Sequence, residues 1–245
     1  MRLNKYIASG TALSRRTADA AIAEGRVTLS GSVASQGDVV TSGDVVKLDG
    51  KVVNPRPLHM TIILNKPVGY VCSRNGQGSQ TVFNLLPREY RHLQQVGRLD
   101  KDSSGLLLLT DDGDLANELT HPRYQKTKMY EVRLDKPLQP LHQQIITDHG
   151  VMLEDGLSQF MIEKIDTPAA QHEAKAELQG EGQGDEFISS PQRRGEPLLV
   201  TMHEGRNRQI RRTFAALGYK VRALHRTQFG PYALAGLMPG KIQQL

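Results

Sequence analysis

The segment QVGRLDKDSSGLLLLTDDGDL, residues 95–115, puts one carboxylate where chemistry favours it. Asp100 follows Gly97-Arg98-Leu99 in a loop immediately before Leu106–Leu109, an apolar run that predicts a buried strand. A carboxylate held rigidly at a strand edge can act catalytically, because its position is fixed before the substrate arrives. Arg98 can meet a phosphate or occupy space opened in a nucleotide stack. Taken alone, GRLD is only a polar turn and reads first as an Arg–Asp surface pair. A second segment, HEGRNRQIRRTFAALGYKVR at 203–222, holds six Lys/Arg against Glu204, a local balance of +5 that equals the formal charge of the whole chain. So concentrated a field suits a polyanion better than it suits solubility. Arg206, Arg208 and Arg212 are candidate contacts to that polyanion. Arg211 can approach a carboxylate and keep it ionised, or form a structural ion pair. Tyr130, on a strand-like KMYEV, offers a ring that can stack on a base and a hydroxyl that can donate or accept. A strand tyrosine is also an ordinary core residue.

The elements that must hold these groups can be read from period and punctuation. MTIILNKP predicts a buried strand ended by a proline turn, and GLLLLT at 105–110 and MYEVRL at 129–134 predict two more. Asp114 can cap a short helix through ANEL, and PLLVTM at 197–202 reads as a late strand. NRQIRRTFAALG predicts a helix stopped by Gly218, with Ile210, Phe214 and Leu217 on its apolar side and Arg208 and Arg212 away from it. The polar, glycine-rich stretch near 168–196 lacks periodicity and reads as a surface insertion. Mixed strands and helices place residues 60–245 in an α+β class with a mixed sheet.

Residues 1–50 read as a separate small module, with 51–59 as a linker marked by Pro55 and Pro57. Leu3, Ile7 and Ala8 line one helix, and Ser14 caps a second that buries Ala18, Ala21 and Ile22. Gly25 ends that helix, and Val27–Leu29 is a strand stopped by Ser30-Gly31. Val39-Val40 and Val45-Val46 bracket Gly43-Asp44 and suggest a small hairpin. The cations Arg2, Lys5, Arg15, Arg16 and Arg26 fall on the helices and the turn into the strand. Six Lys/Arg oppose five Asp/Glu over residues 1–50, but the acids lie mainly after Gly37, leaving a local basic face that can follow phosphates.

Composition narrows the remaining classes. With 38% hydrophobic and 23% charged residues a packed core is expected. A net charge of +5 and a pI near 9.3 favour a polyanionic partner. Cys72, the single cysteine, excludes an intramolecular disulfide and a four-cysteine zinc site, and the eight histidines are dispersed. The N-terminus lacks a secretory apolar core, and no run is long enough to span a bilayer, so a cytoplasmic protein is expected. Without a heptad or an apolar dimerisation stripe, a monomer is expected.

The module RLNKYIASGTALSRRTADAAIAEGRVTLSG, continued through GDVV and GDVVKLDG, resembles the S4 RNA-binding domain. LNKPVGYVCS, VGRLDKDSSGLLLLTDDG, HPRYQKTKMYEV, EGRNRQIRR and LHRTQFGPYAL, in that order, resemble the bacterial ribosomal pseudouridine synthases that carry an S4 domain before the catalytic domain. One departure is Ser103-Ser104-Gly105 where the family usually has Thr-Ser-Gly.

The resemblance implies isomerisation of a uridine to pseudouridine in structured ribosomal RNA or a pre-ribosomal particle, with large-subunit 23S rRNA favoured. It implies Asp100 as the catalytic aspartate, attacking the ribose or abstracting a proton. Arg211 would orient and neutralise Asp100, Tyr130 would pack on the base, and Arg98 would fill the stack the uridine leaves. Asn65 and Lys66 would support the site or face the RNA. No atom enters or leaves, so neither cofactor nor metal is expected. The alternatives are the same reaction on 16S rRNA or tRNA, and a non-catalytic RNA-binding protein of ribosome assembly.

Overall fold

The computed structural model describes residues 1–55, 59–165 and 196–245. The expected insertion lies outside the described residues except for Glu196, and so does Pro57. The chain divides into two compact units, Met1–Met60 and Thr61–Leu245.

In the first unit α1 (Leu3–Gly10) and α2 (Arg15–Ala23) pack with a sheet of β1 (Val27–Leu29), β2 (Ser32–Val33), β3 (Val46–Leu48) and β4 (Lys51–Val52) in the order β2-β1-β3-β4. The Ser14 side chain accepts from Thr17 N, satisfying one of the orphan donors at the start of α2. Leu3, Ile7, Ala18, Ala21, Ile22, Val27, Val46 and Val53 make the core. Two expectations are corrected. The Val39-Val40 and Val45-Val46 pairs form no hairpin: Val39 bridges Arg2, Val40 N donates to Met1 O, and Val46 pairs with Leu29. Gly43-Asp44 does turn the chain, with Thr41 N donating to Asp44 Oδ2 at 2.8 Å. A turn signal fixes a reversal without fixing which edges pair. The module also runs past residue 50, since β4 extends the sheet and Val53 is buried with it.

The second unit is built on one large sheet. Its strands are β5 (Thr61–Lys66), β6 (Gln94–Val96), β7 (Ser104–Thr110), β8 (Lys128–Leu134), β11 (Met161–Lys164), β12 (Leu198–Met202), β13 (Val221–Phe229), β14 (Tyr232–Ala233) and β15 (Ile242–Gln244). The path is β11-β12-β8-β13-β7-β5-β15, with β6 on β7 and β14 on β13. A separate hairpin joins β9 (Val151–Leu153) to β10 (Gly156–Ser158). Every pairing along the path is antiparallel except β13 with β7, which is parallel. Leu106–Leu109 are all buried, as a strand covered on both faces requires. Leu106 and Leu108 join Ile63, Val96, Leu119 and Phe229 on one side.

Helices α3 (Gly113–Thr120), α4 (Pro140–Gln144) and α5 (Gln209–Ala216) complete the described unit. Asp112, two residues before the expected Asp114, caps α3 by accepting from Asp114 N and Leu115 N. α5 buries Ile210 and Phe214 as predicted, with Leu217 at its C-cap, and Gly218 follows in the left-handed region.

Candidate active site

The loop between β6 and β7 is fixed by its own carbonyl groups. Lys66 Nζ donates to Asp100 O at 3.0 Å, Ser103 O at 2.6 Å and Pro67 O at 3.0 Å. Gly69 N donates to Lys101 O at 2.7 Å, and Arg211 Nη2 to Asp102 O at 2.8 Å. Each of the four carbonyls from Asp100 to Ser103 therefore has a donor. Lys66 is 0% exposed, and burial holds its ammonium below the usual lysine range. Cys72, also buried, accepts from Leu99 N at 3.4 Å, and burial pushes its thiol up, which disfavours the reactive thiolate.

Two of the expected RNA contacts are corrected here. Lys66 and Asn65 are both buried, and Asn65 Nδ2 donates to Leu237 O at 2.6 Å. Their strand, β5, lies between β7 and β15 inside the sheet, so both hold the scaffold and neither faces a ligand.

Asp100 opens onto a cleft of about 600 Å³ whose lining includes Arg98, Lys128, Tyr130, Arg206, Arg208, Arg226 and Phe229. Tyr130 is 8% exposed on the central strand β8. Arg208 occupies the left-handed region (φ 48°, ψ 29°) as N-cap of α5. That conformation costs a side-chain-bearing residue of order 1–3 kcal/mol. It turns the guanidinium back over the loop. Nη1 lies 3.4 Å from Asp100 Oδ2 and 3.1 Å from Asp102 Oδ1, while Nη2 reaches Asp102 Oδ2 at 3.2 Å.

Arg211 differs from its expected role. Its Nε lies 3.4 Å from Asp102 Oδ2 and its Nη2 3.3 Å from Ser103 Oγ, and the ion pair to Asp100 comes from Arg208 instead. One helical turn separates these two arginines, and the position nearer the helix start is the one over Asp100. Arg211 thus positions the loop. Burial works to raise the Asp102 carboxyl, but the Arg208 hydrogen bonds and the charges of Arg211 and Arg208 outweigh it, so Asp102 titrates below the usual carboxylate range.

Two further cations are already engaged. Arg206 donates to Asp155 O, Gly156 O and Leu157 O and pairs with Asp155 and Glu204. Arg212 forks Asp155 at 3.0 and 2.7 Å. Together they clamp the β9–β10 hairpin to α5. Arg206 still lines the cleft, while Arg212 is turned away from it. In the first unit Arg2, Arg15 and Arg16 are exposed and Lys5 is half-buried. Arg26 is committed to Asp49 at 2.8 and 2.7 Å and to Glu24 at 3.1 Å.

Lys128, Arg226 and Phe229 were not singled out from the sequence. Lys128 sits two residues before Tyr130, the same-face spacing of a strand, which is the signal that would have found it. Arg226 and Phe229 lie within LHRTQFGPYAL, but only the β13–β8 pairing sets Arg226 opposite Tyr130 and Phe229 opposite Lys128.

Residues 60–216 match the profile of the RNA pseudouridylate synthase family, and residues 1–46 match the S4 domain. The chain belongs to the RNA pseudouridylate synthase family. An uncharacterized RNA pseudouridine synthase of Aquifex aeolicus is 35% identical over 100% of this chain and 90% of the relative. Ribosomal large subunit pseudouridine synthase B of Bacillus subtilis is 34% identical, covering 100% and 91%. Ribosomal small subunit pseudouridine synthase A of Yersinia pestis is also 34% identical, covering 100% and 94%. A crystal structure of a pseudouridylate synthase superposes with a TM-score of 0.63 at 27% identity, over 100% of this chain and 96% of that one. In this pseudouridylate synthase the described residues include no helix long and apolar enough to cross a membrane.

Proposed function

We propose that the protein isomerises one uridine of ribosomal RNA to pseudouridine, with Asp100 as the reacting carboxylate. The observation that carries this is the convergence of Asp100 and Tyr130 on one cleft whose wall also carries Arg98, Lys126, Lys128, Arg206, Arg208 and Arg226. A polyanion is drawn to that field, and a base lifted from its stack meets an aromatic ring at the depth of the carboxylate. Extrusion costs a few kcal/mol, least in a loop or a disrupted helix, which selects an accessible uridine in folded RNA. Asp100 then bonds C1′ or removes a ribose proton as the N1–C1′ bond breaks. The base turns, C5 joins C1′, and the C5 proton is lost. Arg98 takes the space the nucleotide leaves, and Arg208 steadies Asp100.

Large-subunit 23S rRNA is our first target, in keeping with the Bacillus relative. The Yersinia relative, equally similar, favours the small subunit as the second reading. Nucleotide-resolution pseudouridine mapping in wild-type, deletion and Asp100→Ala strains tests both. One rRNA signal lost in both altered strains names the substrate and the residue. Unchanged maps of both rRNAs overturn the proposal.

A further inference from the structure

Arg226 is the most enclosed cation on the cleft wall. It is 2% exposed, yet only part of its guanidinium is satisfied. Nε donates to Leu106 O at 2.8 Å, while Nη2 is buried with no hydrogen-bond partner among the described residues. The guanidinium carbon stands 4.7 Å from the centroid of Phe229, and Lys128 Nζ approaches the same ring at 5.2 Å. Lys128 is held below the usual lysine range by burial and then by the charge of Arg226. Two cations crowd one ring, and one of them, Arg226, keeps an unpaired donor.

A buried donor left unpaired costs about 1–3 kcal/mol, so its retention beside a reacting group calls for a reason. Depth narrows the ligand. Backbone phosphates can be met by exposed Arg98 and Arg208, whereas Arg226 lies at the level of the tyrosine. The sheet fixes that level, because Arg226 pairs across from Tyr130 on β8 and beside Gly105 on β7, next to the Asp100 loop. The group reaching this depth is the extruded base itself. Its in-plane acceptors are the two carbonyl oxygens.

Resting on the function proposed above, we infer that Arg226 is a catalytic residue that hydrogen-bonds a carbonyl oxygen of the target uracil and stabilises the charge the base gains as it leaves the ribose. When N1–C1′ breaks, its electron pair goes to the base and spreads from N1 onto O2 and O4. C1′ is satisfied by a bond from the Asp100 carboxylate or, if Asp100 takes the C2′ proton, by the C2′–H pair. One negative charge thus passes from Asp100 to the base. It returns when C5 bonds C1′ and Asp100 is released, as carboxylate or after giving its proton back to C2′. The proton lost from C5 is matched by one gained at N1. A guanidinium bonded to the base lowers the barrier to its departure without being consumed.

The test uses the full chain and ribosomal RNA and subunits from the deletion strain, with single-turnover pseudouridine formation and RNA binding measured separately. Arg226→Met is expected to lower the rate about 10²-fold, while RNA binding stays within roughly threefold. Arg226→Lys should recover part of the loss. A second RNA carries 5-fluorouridine at the target, whose fluorine makes the departing base less basic. Its conversion to the base-rotated nucleoside is read by chromatography. The Arg226→Met loss should shrink about tenfold on this RNA, an effect that mere misfolding of the cleft would not produce. Should Arg226→Met fail to fold, Arg226→Lys carries the same two-RNA comparison. Equal losses on both RNAs, or a rate within roughly threefold of wild type, overturn the role of Arg226 alone. Wild-type protein that makes no pseudouridine on any of these RNAs overturns the parent function, and this inference with it.

Discussion

Lys66 shows how much a single buried charge can organise. Its ammonium holds the carbonyls of Pro67, Asp100 and Ser103 together, so the turn that presents Asp100 is tied to the end of β5. Replacing it with Met would take this donor from the Ser103 and Pro67 carbonyls, while Asp100 O keeps Ser103 N. We expect Lys66→Met to lose about 2–4 kcal/mol by urea unfolding, and to lose activity beyond what the unfolded fraction explains. Full activity in the folded fraction would show that the loop holds without it. Asp102 gives the site an acid limit. Its folded pKa lies below the ordinary value of 3.8, so its stabilising effect is complete above that value and disappears as pH falls through the depressed one. The stability gap between wild type and Asp102→Asn should therefore be widest near neutrality and narrow below about pH 4. A gap that stays constant into acid would remove the Arg208–Asp102 ion pair from the account.

At the scale of elements, the parallel seam between β7 and β13 is what assembles the cleft. Gly105 makes the seam possible. Its φ is +105°, and a Cβ there would fall 2.2 Å from Arg226 O and 2.5 Å from Arg226 N. Gly105→Ala should therefore cost at least about 3 kcal/mol and shift Arg226 with it, visible as a lowered Tm and a sharp loss of activity. A well-folded, active variant would show that the seam can open. This seam also marks the boundary of what the sequence discloses. The strands under MTIILNKP, GLLLLT, MYEVRL and PLLVTM are legible because continuous or alternating apolar runs betray burial. Asp100 is legible from its loop before β7. Register across 120 residues is not, so the sequence does not disclose that Arg226 reaches the cleft or that Arg208, one turn before Arg211, stands over Asp100. For Asn65 and Lys66 the sequence leaves support and RNA contact open, because polar side chains on a buried strand look solvent-facing until their carbonyl partners are seen.

At the scale of the whole molecule, exposed cations are divided between two units, and the proposed RNA docking draws on both. In the first unit Arg2, Arg15 and Arg16 are exposed, while Arg26 is occupied by Asp49 and Glu24. Replacing the three exposed arginines with Ala should weaken RNA binding and reduce the slope of log affinity against log salt by about 2. Arg26→Ala should leave that slope unchanged. An unaltered slope in the triple variant would assign RNA docking to the second unit alone. The central place of β13 bears, finally, on how the protein is made. Strands β7 and β8 are translated first, yet each needs β13 as its neighbour. Until that late strand emerges, the nascent chain carries the Asp100 loop with no opposite wall and two open strand edges. Such edges recruit other chains. A chain stalled before residue 221 is thus expected to be a client for chaperones.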